Sequence, residues 1–205
     1  MTNETMFEFE YHRARIQLPP AVIIQNFLDS VQRQPIELEV FGSNSTPAIG
    51  EYWSGQGGIY AGLMRGENGA PDYHLIVPTD NAAYAKEITW GGAGKDEPGA
   101  QSDFDGLANT IALCKSKHSH PAAEKMTALT IDGHSDFYLP SRRELRLCWV
   151  NVPELFEDGW YWSSTQYSAH HAWCQHFGVG GQSNGGKDDE RRARAVRRFI
   201  NNSVI

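Results

Sequence analysis

Paired cysteines are missing from this 205-residue chain. Cys114, Cys148 and Cys174 are an odd set with no CxxC spacing, so they suggest neither a disulfide framework nor a cysteine-anchored zinc site. They read as buried free thiols of a protein made in the cytoplasm. HxxxH spacing is missing too. His118 and His120 lie two apart and His170 and His171 are adjacent, but neither pair supplies the roughly four convergent ligands a zinc site needs. There is no GxSxG elbow, and no cysteine has neighbours that would mark a lowered pKa, so nucleophilic catalysis has no support. Gly91-Gly92-Ala93-Gly94-Lys95 lacks the GxxxxGK[ST] spacing and reads as a loop. Excess positive charge is lacking as well. A net charge of −7 argues against general affinity for nucleic acid or anionic membranes. The opening MTNETMFEFEYHR has no cationic start and no apolar core, so no signal peptide is visible. No apolar run approaches bilayer length, which predicts no membrane insertion.

What remains is an ordinary globular composition, 40% hydrophobic and 21% charged, with twenty glycines and six tryptophans. Loop-rich and aromatic-rich chains of this kind favour irregular β structure over helical bundles. In the first 41 residues Phe7, Phe9 and Tyr11 alternate with Glu8 and Glu10 as in a half-buried strand, and Arg15–Leu18 continues or returns it. Pro19-Pro20 opens a helix striped by Ile23, Phe27 and Val31, and Ile36, Leu38 and Val40 alternate again. This β-(β)-α-β unit, 1–41, is too short to fold alone. It is expected to attach the chain to sister copies or to a larger assembly, the alternative being that it packs on the main domain and completes its core. GSNSTPAIG, 42–50, reads as a linker, and a main domain occupies 51–205.

Within that domain strands are expected at Ile59–Leu63 and Tyr73–Val77, and a long Gly/Asp/Pro-rich loop from Trp90 to Asp105. A helix over Leu107–Lys115 would turn Leu107, Ile111 and Cys114 inward, and another from Pro121 would bury Ala122, Met126 and Leu129. Ser141 and Glu144 form a capping box, ahead of Leu145, Cys148 and Trp149 at helical spacing. Beyond this helix, aromatic residues mix with Gly, Ser, Asn and His, as in short strands joined by exposed polar loops. Arg191, Arg192, Arg194, Arg197 and Arg198 follow Asp188-Asp189-Glu190, whose carboxylates would repel phosphate. The alternation from Arg192 to Val196 fits one terminal strand with a wet face.

The series LPSRREL, YWSST, AW, Phe177, Lys187 and RAVR, in that order, resembles the DUF1566 family. That family includes the C-terminal domain of the collagen-like bacterial adhesin Lcl. It is related to C-type-lectin-fold proteins of phages and of diversity-generating retroelements. The resemblance spans roughly residues 50–200. It implies an α+β, C-type-lectin-like fold with short irregular strands and two or more helices. It implies binding of surface glycans or bacterial envelopes, and no reaction. The calcium signatures of true C-type lectins, Glu-Pro-Asn and Trp-Asn-Asp, are missing. Asp188-Asp189-Glu190 is the one acidic run able to hold calcium, and no cofactor is expected.

In the retroelement-diversified relatives the variable positions occupy the C-terminal stretch that corresponds to 166–184. Position and residue type together single out Gln166, Tyr167, Ser168, His170, His171, Gln175, His176, Gln182, Ser183 and Asn184 as the contact surface, with Trp173 and Phe177 supporting it from beneath. The resulting expectation is a non-catalytic, tail-associated adhesin of a phage or prophage. It would bind a bacterial surface glycan or envelope protein and form homo-oligomers, or a virion-tail contact, through 1–41. Its location would be the virion, or alternatively the cytoplasm. A purely structural virion or cell-surface component is the second reading.

Overall fold

The structure, a computed structural model, describes residues 7–11, 14–18, 24 and 46–200. The chain divides into two units, Met1–Ser45 and Thr46–Ile205, and the division falls inside the segment read as a linker. In the first unit β1 (Phe7–Tyr11) and β2 (Ala14–Leu18) pair antiparallel, with Phe7 opposite Leu18 and Phe9 opposite Ile16. Ile24 is helical and exposed. The rest of the expected helix, and the expected strand at 36–40, lie outside the described residues.

The second unit is α+β, with two sheets and three α-helices among the described residues. The strands β3 (Tyr52–Trp53), β4 (Gly58–Met64), β5 (Tyr73–Val77) and β11 (Arg197–Phe199) form one sheet in the order β11-β5-β4-β3. The strands β6 (Tyr84–Thr89), β7 (Trp160–Gln166), β8 (His171–His176), β9 (Gln182–Gly186) and β10 (Glu190–Arg194) form the other, in the order β6-β10-β7-β8-β9. Among the described strands only β10 and β7 run parallel. Strands were expected at 59–63 and 73–77, and both are there. The single terminal strand expected from Arg192 to Val196 is instead two strands. At Ala195-Val196 the chain leaves one sheet for the other, and Val196 forms a bridge with Tyr138.

Strand β7 is buried on both faces, which explains why WYWSST carries no alternation of wet and dry positions. Trp162 joins a core of Trp90, Leu113, Met126, Phe137 and Cys174, while its neighbour Tyr161 joins a second core of Leu75, Tyr138, Leu145, Cys148 and Phe177. The helices α1 (Gly106–Cys114) and α2 (Pro121–Thr127) contribute to the first core, and α3 (Arg142–Asn151) to the second.

In α2, Ala122 and Met126 are buried as expected, and Leu129, just past the helix, packs on the core from a half-buried position. In α1 the expected face is rotated, and only Leu107 packs inward as expected, half-buried against the second core. Ile111 and Cys114 are exposed, while Gly106, Asn109, Thr110 and Leu113 point inward. Two polar residues replace the anticipated apolar stripe because each finds buried partners. Asn109 Nδ2 donates to the Ser102 carbonyl at 2.7 Å, and Thr110 Oγ1 donates to the carbonyls of Gly106 and Leu139 at 2.7 and 3.0 Å. The expectation of three buried thiols is corrected by the same rotation: Cys148 and Cys174 are buried and Cys114 is not. No described helix is long and apolar enough to cross a membrane.

The capping box at the start of α3 forms as expected: Ser141 Oγ accepts from Glu144 N, and Glu144 Oε2 accepts from Ser141 N at 2.7 Å. The Glu144 side chain is fully buried, and its other oxygen accepts from Tyr73 Oη at 2.7 Å and Tyr138 Oη at 2.6 Å. Burial lifts the Glu144 carboxyl above the usual carboxylate range, against the opposing pull of these donors and of the Arg198 guanidinium 3.9 Å away. Burial and the nearby carboxylate hold both tyrosine hydroxyls protonated, well above their ordinary pKa. Removing the hub would strand the Tyr138 hydroxyl and the Ser141 N–H and leave the Tyr73 hydroxyl only the Phe104 carbonyl at 3.2 Å. Glu144→Ala is expected to lower the free energy of unfolding by about 3–5 kcal/mol in denaturant titration. Glu144→Gln, which keeps one acceptor, should lose less.

Candidate functional site

The stretch 166–184 is not a set of loops. It contains all of β8 and most of β9, joined to β7 by a turn at 167–170. In the antiparallel ladder Trp173 faces Asn184, Gln175 faces Gln182, and His171 faces Gly186, which puts these residues on the side of the sheet that α3 covers. Ala172 and Cys174 point the other way, into the first core.

At the amino-terminal end of α3 the cover stops, and Trp173 is half-buried there. The Arg142 guanidinium lies over its ring, 3.6 Å from the centroid, and Tyr167 meets the ring edge-on at 5.2 Å. Tyr167 is 55% exposed, the largest side chain presented by the turn. Beside it Ser168 Oγ and His171 Nδ1 lie 3.3 Å apart, and His170 and His171 are exposed. The result is a buttressed aromatic surrounded by a hydroxyl, two imidazoles and the Asn184 amide.

Four of the ten expected contact residues do other work. Gln166 and Gln175 are buried and are corrected: they cannot belong to an exposed surface. Gln175 Nε2 donates to the carbonyls of His176 and Gly181, closing the β8–β9 turn. Gln182 clamps α3, its Oε1 accepting from Arg142 Nε at 3.0 Å and its Nε2 donating to the Arg142 carbonyl at 2.8 Å. His176 Nδ1 accepts from the backbone N–H groups of Gly178 and Val179, so this ring shapes the turn. Ser183 is exposed, but its pairing with Cys174 sets it on the opposite face from Trp173. Tyr167, Ser168, His170, His171 and Asn184 remain near the platform. Phe177 is buried as expected, stacked on Phe156 at 3.8 Å, and Trp173 is half-buried beneath Arg142 and against the exposed Tyr167, the place of a support.

Arg142 went unrecognised in the sequence, although its position carries a signal. Arg142 and Arg143 follow the cap of α3, at the helix end whose dipole disfavours cations. A local preference broken twice in succession points to a compensating contact elsewhere. For Arg142 that contact is Trp173 together with Asp103, 3.3 Å away.

Gln166 belongs to a buried polar knot that fastens the loop 90–105. Its Oε1 accepts from Glu97 N at 2.8 Å and from Lys187 Nζ at 2.7 Å, and its Nε2 donates to Asp96. Lys187 also donates to the Lys95 carbonyl, and its ammonium lies 4.5 Å from the Trp90 ring. His120, fully buried, has Nε2 3.1 Å from Glu97 Oε1. Gly91 and Gly92 adopt positive φ and abut residues 119–120 so closely that a Cβ on either would collide. The glycine-rich segment therefore serves as a fitted turn.

The C-terminal arginines are engaged structurally. Arg191 pairs with Asp189, Arg192 with Glu157, Arg197 with Asp136 and Arg198 with Asp105, while Arg194 donates to the Pro78 carbonyl. Asp188, Asp189 and Glu190 are exposed, and Asp189 is bound to Arg191 and to the Gly186 N–H. Among the described residues no three His, Cys, Asp or Glu side chains converge as a metal-holding group.

Burial lowers the Lys187 pKa from 10.5 to about 8, despite the nearby carboxylates of Glu97 and Asp96. Between those values the unfolded chain holds a proton that the folded chain has released, so this group makes stability rise with pH across that window. Lys187→Met should remove the rise, read as the difference between wild-type and variant unfolding free energies from about pH 8 to pH 10.5. No protein-family model matches the chain, and no curated protein does.

Proposed function

We propose that this chain is a non-catalytic binding protein that recognises a glycan or receptor of a bacterial envelope, as a phage- or prophage-tail adhesin. The Tyr167–Trp173–Arg142 stack at the margin of α3 is the observation that carries this reading. An exposed aromatic ring held rigid from below offers contact area at low entropic cost, and hydroxyl, imidazole and amide groups around it can meet sugar hydroxyls. The contact set is Tyr167, Ser168, His170, His171 and Asn184, with Trp173 supporting it and Arg142 added to the residues read from sequence. The C-type-lectin-like assignment rests on the resemblance of LPSRREL…RAVR. It is supported by an α+β unit whose first and last strands share one sheet and whose long loop 90–105 is fastened by side chains.

The attachment role of residues 1–41 belongs to the same proposal. Weak single sites gain avidity when several copies are mounted together. A structural component using the same face for protein contacts is the second reading. Aromatic rings beside adaptable polar groups serve that role equally.

Capture of purified, labelled protein on a panel of envelope polysaccharides tests the reading. Tyr167→Ala is expected to weaken capture about tenfold, the effect of losing one aromatic stack of about 1.4 kcal/mol, with an unchanged melting temperature. EDTA should leave capture unaffected. Capture by no polysaccharide or envelope, even from oligomeric samples, would favour the structural role.

A further inference from the structure

Arg143 and Arg146 are exposed on α3, one helical turn apart. Among the described residues neither has a carboxylate within 4.0 Å, unlike Arg142 with Asp103, Arg65 with Asp72, and the four paired C-terminal arginines. Arg143 lies over the Phe104 ring at 3.7 Å. Arg146 lies over the Trp149 ring at 4.5 Å and donates to the Gly180 carbonyl. Each guanidinium is thus stacked on a ring, and among the described residues no carboxylate neutralises it. In a chain of net charge −7, Arg143 and Arg146 place two stacked guanidinium groups with no carboxylate partner among the described residues on one helix face.

Both line a groove of about 560 Å³ between α3 and the end of β4. Its other lining includes Leu63, Leu147 and Val150, of which Leu63 is 48% and Val150 60% exposed. Leu147 and Val150 follow Arg143 and Arg146 by four residues each, so one stripe of the helix runs from cationic to aliphatic. Guanidinium forks call for carboxylates or other planar anions. The one ring in the lining, Phe104, has Arg143 stacked over it, and the exposed aliphatic side chains call for apolar side chains. A polysaccharide satisfies the first demand alone; a peptide with acidic and aliphatic residues satisfies both.

We infer that this groove docks a segment of a partner protein that carries carboxylates beside aliphatic side chains. The inference stands apart from the glycan reading, because the pair Arg143 and Arg146 and the residue Val150 take no part in the Tyr167 surface. A carboxylate pair spaced one helical turn apart would meet the two arginines, and Leu, Ile or Val of the same segment would cover Leu63 and Val150.

Panning a library of random displayed peptides on the immobilised 205-residue chain tests it. Wild type and Tyr167→Ala should both enrich sequences that combine Asp or Glu with Leu, Ile or Val. Arg143→Glu with Arg146→Glu should lose that enrichment. A selected, fluorescently labelled peptide should bind this double variant roughly tenfold or more weakly by anisotropy, with the melting temperature retained. Arg143→Gln with Arg146→Gln, which preserves length and polarity, should shift affinity in the same direction, and Val150→Ser should weaken binding independently of salt. No enrichment, a consensus without carboxylates, or an unchanged consensus on the double variants overturns the proposal. So does a polygalacturonate oligomer that binds the groove more tightly than the selected peptide, since the occupant would then be an acidic glycan. Loss of polysaccharide capture by Tyr167→Ala with peptide binding intact separates the two surfaces.

Discussion

The buried carboxylate of Glu144 sits where the elements of the second unit meet. One oxygen caps α3 through the Ser141 N–H; the other gathers hydroxyls from Tyr73 on β5 and from Tyr138, whose backbone bridges to Val196. A helix start, a strand of one sheet and the crossover between sheets therefore converge on a single side chain. Its burial is tolerable because three donors satisfy it, with Arg198 close by. The placement of α3 follows from this hub, and with it the placement of Arg142 over Trp173 and of Arg143 and Arg146 along the groove. Distant surface chemistry is set by a polar contact in the core.

The first half of this arrangement was legible. The Ser141–Glu144 spacing announced a capping box, and the apolar spacing behind it announced the face that carries Leu145 and Cys148. Nothing in the spacing announced that Glu144 would also accept from tyrosines 71 and 6 residues away in sequence, since such partners are fixed by tertiary packing. The same limit explains α1. Reading apolar residues as inward set Ile111 and Cys114 toward the core, whereas Asn109 and Thr110 go in because a loop and a strand supply partners for them. Periodicity weighs hydrophobicity and is blind to such pairing.

The stretch 166–184 shows a related difficulty. Glutamine is read as a surface residue, yet Gln166, Gln175 and Gln182 are all recruited as two-ended connectors, each amide both donating and accepting or spanning two carbonyls. Tyr167 and His171 are not recruited in this way among the described residues, His171 meeting only the neighbouring Ser168 hydroxyl, and both stay outside. What could have been read is the breach of helix preference at Arg142 and Arg143. It marked the end of α3 from which both the aromatic platform and the arginine groove extend. Arg142 and Gln182 border both surfaces, so the two are neighbours on one scaffold while differing in the side chains that give each its character.

Trp53 in β3 and Phe199 in β11, at opposite edges of the four-stranded sheet, bring their rings within 5.3 Å, edge to face, with Tyr60 and His74 completing the cluster. The two ends of the described domain are thus bolted together by aromatic contacts. A pull applied between residues 46 and 200 would load this cluster and the strands beside it first. The five-stranded sheet, which carries Trp173 on β8, contributes no strand to this cluster. Tension across the domain would therefore be borne by the aromatic cluster before it reached the Tyr167–Trp173 stack.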